Sequence, residues 1–197
     1  MSSFHLSTED KKILLQIARS SIEMAMKGLT LPEYEPESSH LKEARGAFVT
    51  LEIESNLRGC IGSMESEQPL YKTVSEMAIS AAFRDPRFPP LGEEELEKVQ
   101  IEISVLSPLI SVESEDEIEV GKHGLMIRKG FYSGVLLPQV ASRYGWTREE
   151  FLRQTCLKAG LYEDAWKEAD CEIWIFSALI FGEGKHCVDY ERENSDN

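Results

Sequence analysis

Residues 46–63 set two β-rich runs back to back, and that pairing decides which classes of fold are open to the chain. Ala47, Val49, Leu51 and Ile53 share one face of the first run, and Phe48, Thr50 and Glu52 share the other. Glu54-Ser55-Asn56 makes the turn and Leu57 opens the second run, so the stretch reads as a hairpin. Before it, Ser7 and Asp10 resemble a capping pair, and Leu14, Ile17, Ala18, Ile22 and Ala25 recur at helical spacing. Residues 8–27 therefore read as an amphipathic helix closed by Gly28, and 30–44 as a loop. Pro69 can start a helix to about Phe83. Val99, Ile101, Ile103 and Val105 then alternate with polar residues as a half-exposed strand. Further on come short β-runs at 124–128 and 132–137 and a helix from Pro138 to Tyr144. A Thr147/Glu150 capping box starts a helix over 148–159, closed by Gly160. A short helix at 162–169 and one long central strand, Cys171–Phe181, complete the order. That order is not the regular βαβ alternation of a doubly wound sheet; it predicts an α+β fold with antiparallel sheet. The block 120–170 reads as an excursion from the main sheet, and a cleft between the two lobes is the natural binding site.

With 197 residues, one domain of two lobes fits the length, and a sizeable core needs no disulfide staples. Lys and Arg number 21 against 35 Asp and Glu, a formal charge of −14, which argues against general nucleic-acid binding. Cys60, Cys156, Cys171 and Cys187 are scattered without ligand spacing, so neither a disulfide framework nor a metal site is expected. No signal peptide and no membrane-length apolar run is read, and the expected setting is the cytoplasm, away from membranes.

Two stretches carry chemistry. In Leu57-Arg58-Gly59-Cys60-Ile61-Gly62, glycines flank a cysteine within a strand, where glycine is normally kept for a bulge or a close approach. Alternation places Arg58 and Cys60 on one face, where a guanidinium would favour thiolate. The bland alternative is a buried Cys60 behaving as a small hydrophobe, with Arg58 paired to a carboxylate. In Arg84-Asp85-Pro86-Arg87-Phe88-Pro89-Pro90, prolines stiffen a loop whose arginine forks suit carboxylate or phosphate. Equally, Asp85 could neutralise Arg84 or Arg87 while Phe88 plugs the core. His123, before Gly124 at a strand start, could form a dyad with Cys60 or be a turn residue. Gln139 lies near a helix N-terminus, to line the cleft or simply to cap.

The hexapeptide resembles the hallmark of the AMMECR domain family. So, in order, do Arg84-Asp85-Pro86-Arg87-Phe88, His123-Gly124-Leu125, the run from Gly134 to Ala141, Trp146, Phe151-Leu152, the run from Cys156 to Leu161, and Trp166. The resemblance implies a two-lobed α/β domain: a larger lobe of about 1–119 plus 171–197, a smaller one of about 120–170, and the hexapeptide facing the cleft. It brings no reaction with it. It also implies a shared pathway with Memo-type and radical-SAM proteins.

Two functions compete. One is an enzyme or enzyme subunit with Cys60 as nucleophile or redox group and His123 as proton carrier. Arg58, Gly59, Gly62, Arg84, Asp85, Arg87 and Gln139 would then hold a protein or small anionic substrate. The other is a non-catalytic adaptor that binds a partner in the same place. No cofactor is implied by either. The negative charge is uneven, with five carboxylates at 113–119 and ten acids against three bases from Glu163 onward. Arg58, Arg84, Arg87, Arg128 and Lys129 are expected to form a locally basic recess.

Overall fold

The computed structural model describes residues 4–30 and 34–183. Cys187 and the acidic tail beyond Glu183 lie outside the described residues. Helices and antiparallel sheets alternate along the chain, which forms two compact units: residues 1–106 with 179–197, and residues 107–178.

The first unit begins with α1 (Thr8–Met26), capped as its sequence predicts. Ser7 Oγ accepts the Asp10 N–H at 3.0 Å while the Asp10 carboxylate accepts the Ser7 N–H. A four-residue helix, α2 (Ser39–Lys42), interrupts the expected 30–44 loop. The hairpin strands are β1 (Ala47–Ile53) and β2 (Asn56–Ser63), turned by Glu54 and Ser55 in left-handed conformations. Next come α3 (Leu70–Phe83), a single acidic turn α4 (Glu93–Leu96) and β3 (Gln100–Leu106). With β8 (Ala178–Gly182), these strands form a sheet in the order β2-β1-β3-β8, β1 running antiparallel to both β2 and β3. Leu14, Ala18 and Ile22 of α1, Val74 and Ala78 of α3, and Val49, Leu51, Ile101 and Ile103 of the sheet are fully or almost fully buried in one core. The period-two alternation of β1 and β3 thus puts the expected face inward.

The second unit is built on β4 (Ile110–Ser111), β5 (Gly124–Lys129), β6 (Tyr132–Leu136) and β7 (Glu172–Phe176), in the order β4-β7-β5-β6 with antiparallel pairs. Helices α5 (Pro138–Tyr144) and α6 (Arg148–Lys158) belong to it, α6 carrying the Thr147/Glu150 box and ending at Gly160, φ +78°. Phe151, Leu152 and Cys156 pack with Leu125 and Ile127 in a core of their own.

One expectation is corrected by the chain path. The run 171–181 is not one long central strand but two strands in two sheets, β7 inside one and β8 at an edge of the other. Between them Ser177 leaves both ladders: its carbonyl accepts the Ser107 N–H and its N–H donates to Ser107 Oγ, both at 2.9 Å. The expected helix at 162–169 shrinks to one 3-10 turn, Ala165–Lys167. Among the described residues no helix is long and apolar enough to cross a membrane.

Candidate functional site

Glycine decides how closely α3 approaches β2. A Cβ added at Gly59 would lie 2.2 Å from the Ala81 carbonyl oxygen, so only hydrogen fits under the last turn of α3. One added at Gly62 would strike the ring of Phe48, its cross-strand partner, also at 2.2 Å. The close approach delivers the end of α3 beside β2, which is an edge strand. The proline-stiffened loop 84–90 then runs along that edge.

Cys60 pairs with Thr50 in the register that turns its own backbone N–H and C=O outward, away from β1. Both outward groups are met by the loop. The Cys60 N–H donates to Asp85 Oδ2 at 2.9 Å, and the Cys60 carbonyl accepts from Arg87 Nη2 at 3.1 Å. Arg87 also grips Asp85 in a fork, Nε to Oδ1 at 2.9 Å and Nη2 to Oδ2 at 2.6 Å. The carboxylate–guanidinium pair thus stands where a neighbouring strand would hydrogen-bond, and closes the edge at that point. The Asp85 side chain is only 1% exposed, and the Arg87 fork holds its carboxyl well below the usual carboxylate range.

Arg58 is the extra residue of a bulge opposite Leu51 and Glu52, where strict alternation stops. Its guanidinium is held by Glu95, at 2.7 and 2.8 Å. Glu95 also accepts the Gly92 N–H at the start of α4, and the Arg58 fork lowers its carboxyl to about 2. Phe88 sits beside both arginines, its ring centre 5.9 Å from the Arg58 and 5.6 Å from the Arg87 guanidinium carbon. Glu95 left no sign in the sequence beyond its place three residues after Gly92. Thr50, whose hydroxyl donates to Cys60 Sγ at 3.3 Å, was visible only as a polar residue on a strand face.

The thiol is not activated as spacing suggests. Burial pushes the Cys60 thiol up, Asp85 and Glu102 add to the rise, and the Thr50 hydroxyl and Arg87 only partly oppose it. Arg58 is not among the groups acting on it. His123 belongs to the second unit, where its Nδ1 accepts the Glu119 N–H at 3.2 Å in a turn. Burial, then Lys122, lowers its pKa, so it is neutral at pH 7. Gln139 is half-buried in the first turn of α5, also in the second unit. Among the described residues no three His, Cys, Asp or Glu side chains cluster to hold a metal ion.

The sequence profile of the AMMECR1 family matches residues 15–181. The chain belongs to the AMMECR1 family. A Methanopyrus kandleri protein is 43% identical over 187 residues, covering 90% of each chain. A Methanothermobacter thermautotrophicus protein is 44% identical, covering 90% of this chain and 96% of its own. The crystal structure of an uncharacterised Pyrococcus horikoshii protein, PH0010, superposes with a TM-score of 0.87 at 40% identity. It covers 90% of this chain and 93% of that one.

In this AMMECR1-family chain the expected basic recess is largely neutralised. Arg58 and Arg87 are paired as described, Arg128 binds Glu172 at 2.8 Å, and Lys129 meets Glu168 and Asp170. The exception is Arg84, which has no carboxylate partner among the described residues and lines a groove between α1 and α3. Adjacent residues therefore serve different places: Asp85 closes the β2 edge, while Arg84 faces the helices.

Proposed function

We propose that the protein is a recognition module whose hexapeptide strand and proline loop form a rigid contact surface for a partner protein. The observation that supports this reading is the state of the polar groups. Each arginine of the pair Arg58 and Arg87 is forked onto a carboxylate of its own unit, and the half-buried Cys60 thiol is pushed up by burial, away from thiolate. Groups so satisfied build a surface; they do not wait for a substrate anion. Leu57, Pro86, Pro89 and Pro90 are exposed around half-buried Phe88, an apolar, conformationally stiff face suited to protein contact.

The enzyme reading needs a thiolate at Cys60, and burial works against it. Iodoacetamide labelling at neutral pH separates the two. A contact surface predicts that Cys60 reacts no faster than a free cysteine; labelling many-fold faster than free cysteine would restore the thiol chemistry. The family association makes purified Memo-type and radical-SAM proteins the first partners to try. Cys60→Ser should retain capture of the true partner, and Phe88→Ala should weaken it roughly tenfold or more, as central interface aromatics do. Melting curves check that both variants fold. Capture that survives Phe88→Ala and fails with Cys60→Ser would sink the proposal.

A further inference from the structure

The groove that Arg84 lines lies wholly within the first unit, away from the β2 edge. It has a volume of about 1260 Å³, and its walls are α1 and α3. On α1 the lining residues Ile13, Ile17 and Met24 follow one helical stripe. On α3 they include Tyr71, Lys72, Glu76 and Ile79, and the hydrogen bond from Ser21 Oγ to Ser75 Oγ at 2.9 Å joins the two helices beneath. Ile13 and Tyr71 pack against the core, whereas Ile17, Met24 and Ile79 are half-buried outside it, and Tyr34 and Glu35 complete the lining. The space exceeds the range of roughly 300–1,000 Å³ that small ligands fill. Lys72 and Arg84 are twelve residues apart, and at about 1.5 Å per residue they stand roughly 18 Å apart along α3. Two parallel ridges of side chains with a valley of that length accept the ridge of a third helix.

Charge narrows the occupant. Lys72 and Arg84 both lack a carboxylate within ion-pair distance among the described residues, in a chain of net charge −14. Of the acids in the wall, Glu35 is held by Lys42 at 3.2 Å, and Glu76 sits one turn from Lys72. Lys72 and Arg84 therefore mark the two ends of an apolar valley, and among the described residues Glu76 is the one acid of its wall without an ion-pair partner. We propose that this groove docks an amphipathic helix of a partner protein, with an apolar stripe and acidic side chains at both ends of it. No residue of β2 lines this groove, and Arg84, the first residue of the proline loop, is the one lining residue that belongs to the loop of the contact face proposed above.

Two synthetic helical peptides of about four turns test it, sharing a leucine stripe and ending in glutamates or in lysines. The full-length protein is titrated by fluorescence anisotropy, and binding is mapped on the methyl signals of Ile13, Ile17 and Ile79. The acidic peptide should bind roughly tenfold more tightly than the basic one, the size of a 1.4 kcal/mol preference. Lys72→Glu with Arg84→Glu should reverse that order. Both side chains are exposed, so folding should survive; should the double variant fail to melt cooperatively, Lys72→Glu alone makes the comparison. Equal binding of the two peptides, no binding, or methyl shifts elsewhere would overturn the proposal. So would methyl shifts caused by protein concentration alone, which assign the groove to a second copy. Shifts caused by Tyr190→Ser in the full chain would assign it to the protein's own tail and overturn it likewise.

Discussion

At position 59 the side chain is a hydrogen atom because the Ala81 carbonyl leaves room for nothing larger. Gly59→Ala is therefore expected to cost about 3 kcal/mol, since one side of the clash is helix backbone. Gly62→Ala strikes Phe48 at Cγ, an atom that turning the ring does not move, so the Phe48 side chain must leave its rotamer at a cost of about 1–3 kcal/mol. Chemical denaturation of the two variants checks both losses; a Gly59→Ala protein as stable as the parent would mean that α3 moves away freely. The sequence marked both glycines, because glycine in a strand asks for a reason. It could not name the carbonyl that supplies the reason at 59, which comes from a helix more than twenty residues later. Cys60 is the same case. Its position beside a bulge and two glycines was legible, but the thiol's state depends on burial and on Asp85, Glu102 and Arg87, contributed by other segments.

Strand β2 is an edge strand that stays closed at Cys60 because a loop supplies the acceptor and donor a neighbouring strand would offer. Asp85→Ala should destabilise the protein by about 1–3 kcal/mol, the cost of leaving the Cys60 N–H without its acceptor while the half-exposed Arg87 guanidinium turns to solvent. Its more specific signature is local: the Cys60 amide should lose protection in hydrogen exchange, while amides of β3 exchange as before relative to global stability. An unchanged Cys60 amide would show that the carboxylate does not close the edge. The prolines predicted a stiff loop and the loop is there, yet nothing in its spacing tells Arg87 from Arg84 as the partner of Asp85. Element boundaries follow the same division. Capping boxes at Ser7 and Thr147 were readable because both members lie within one turn. The run 171–181 misled because an unbroken β-pattern does not reveal that Ser177 hands the chain from one sheet to another.

For the molecule as a whole, the carboxylates paired with Arg87 and Arg58 contribute to the loss of stability in acid. Asp85 and Glu95 both have folded pKa values below their unfolded values of about 3.9 and 4.3. Their contribution is thus fully present above about pH 4–5 and is lost as pH falls toward about 2 and below. Urea midpoints taken from pH 6 down to pH 2.5 should fall steeply in that window. Asp85→Asn should start lower at pH 6 and fall less, because one of the two titrating groups has gone. An equal fall in both proteins would place the acid sensitivity elsewhere.

The sequence by itself determined the α+β class, the hairpin, the principal helices with their caps, and the family, because periodicity, turn chemistry and motif order are written in residues close along the chain. Only the tertiary structure decided that Arg58 belongs to Glu95, that Asp85 and Arg87 close the edge at Cys60, that burial pushes the thiol's pKa up, and that Arg84 faces a helical groove instead. Those outcomes rest on burial and on partners brought from 25 to 37 residues away. Neither quantity has a local signature, since both depend on which surfaces the whole chain removes from water.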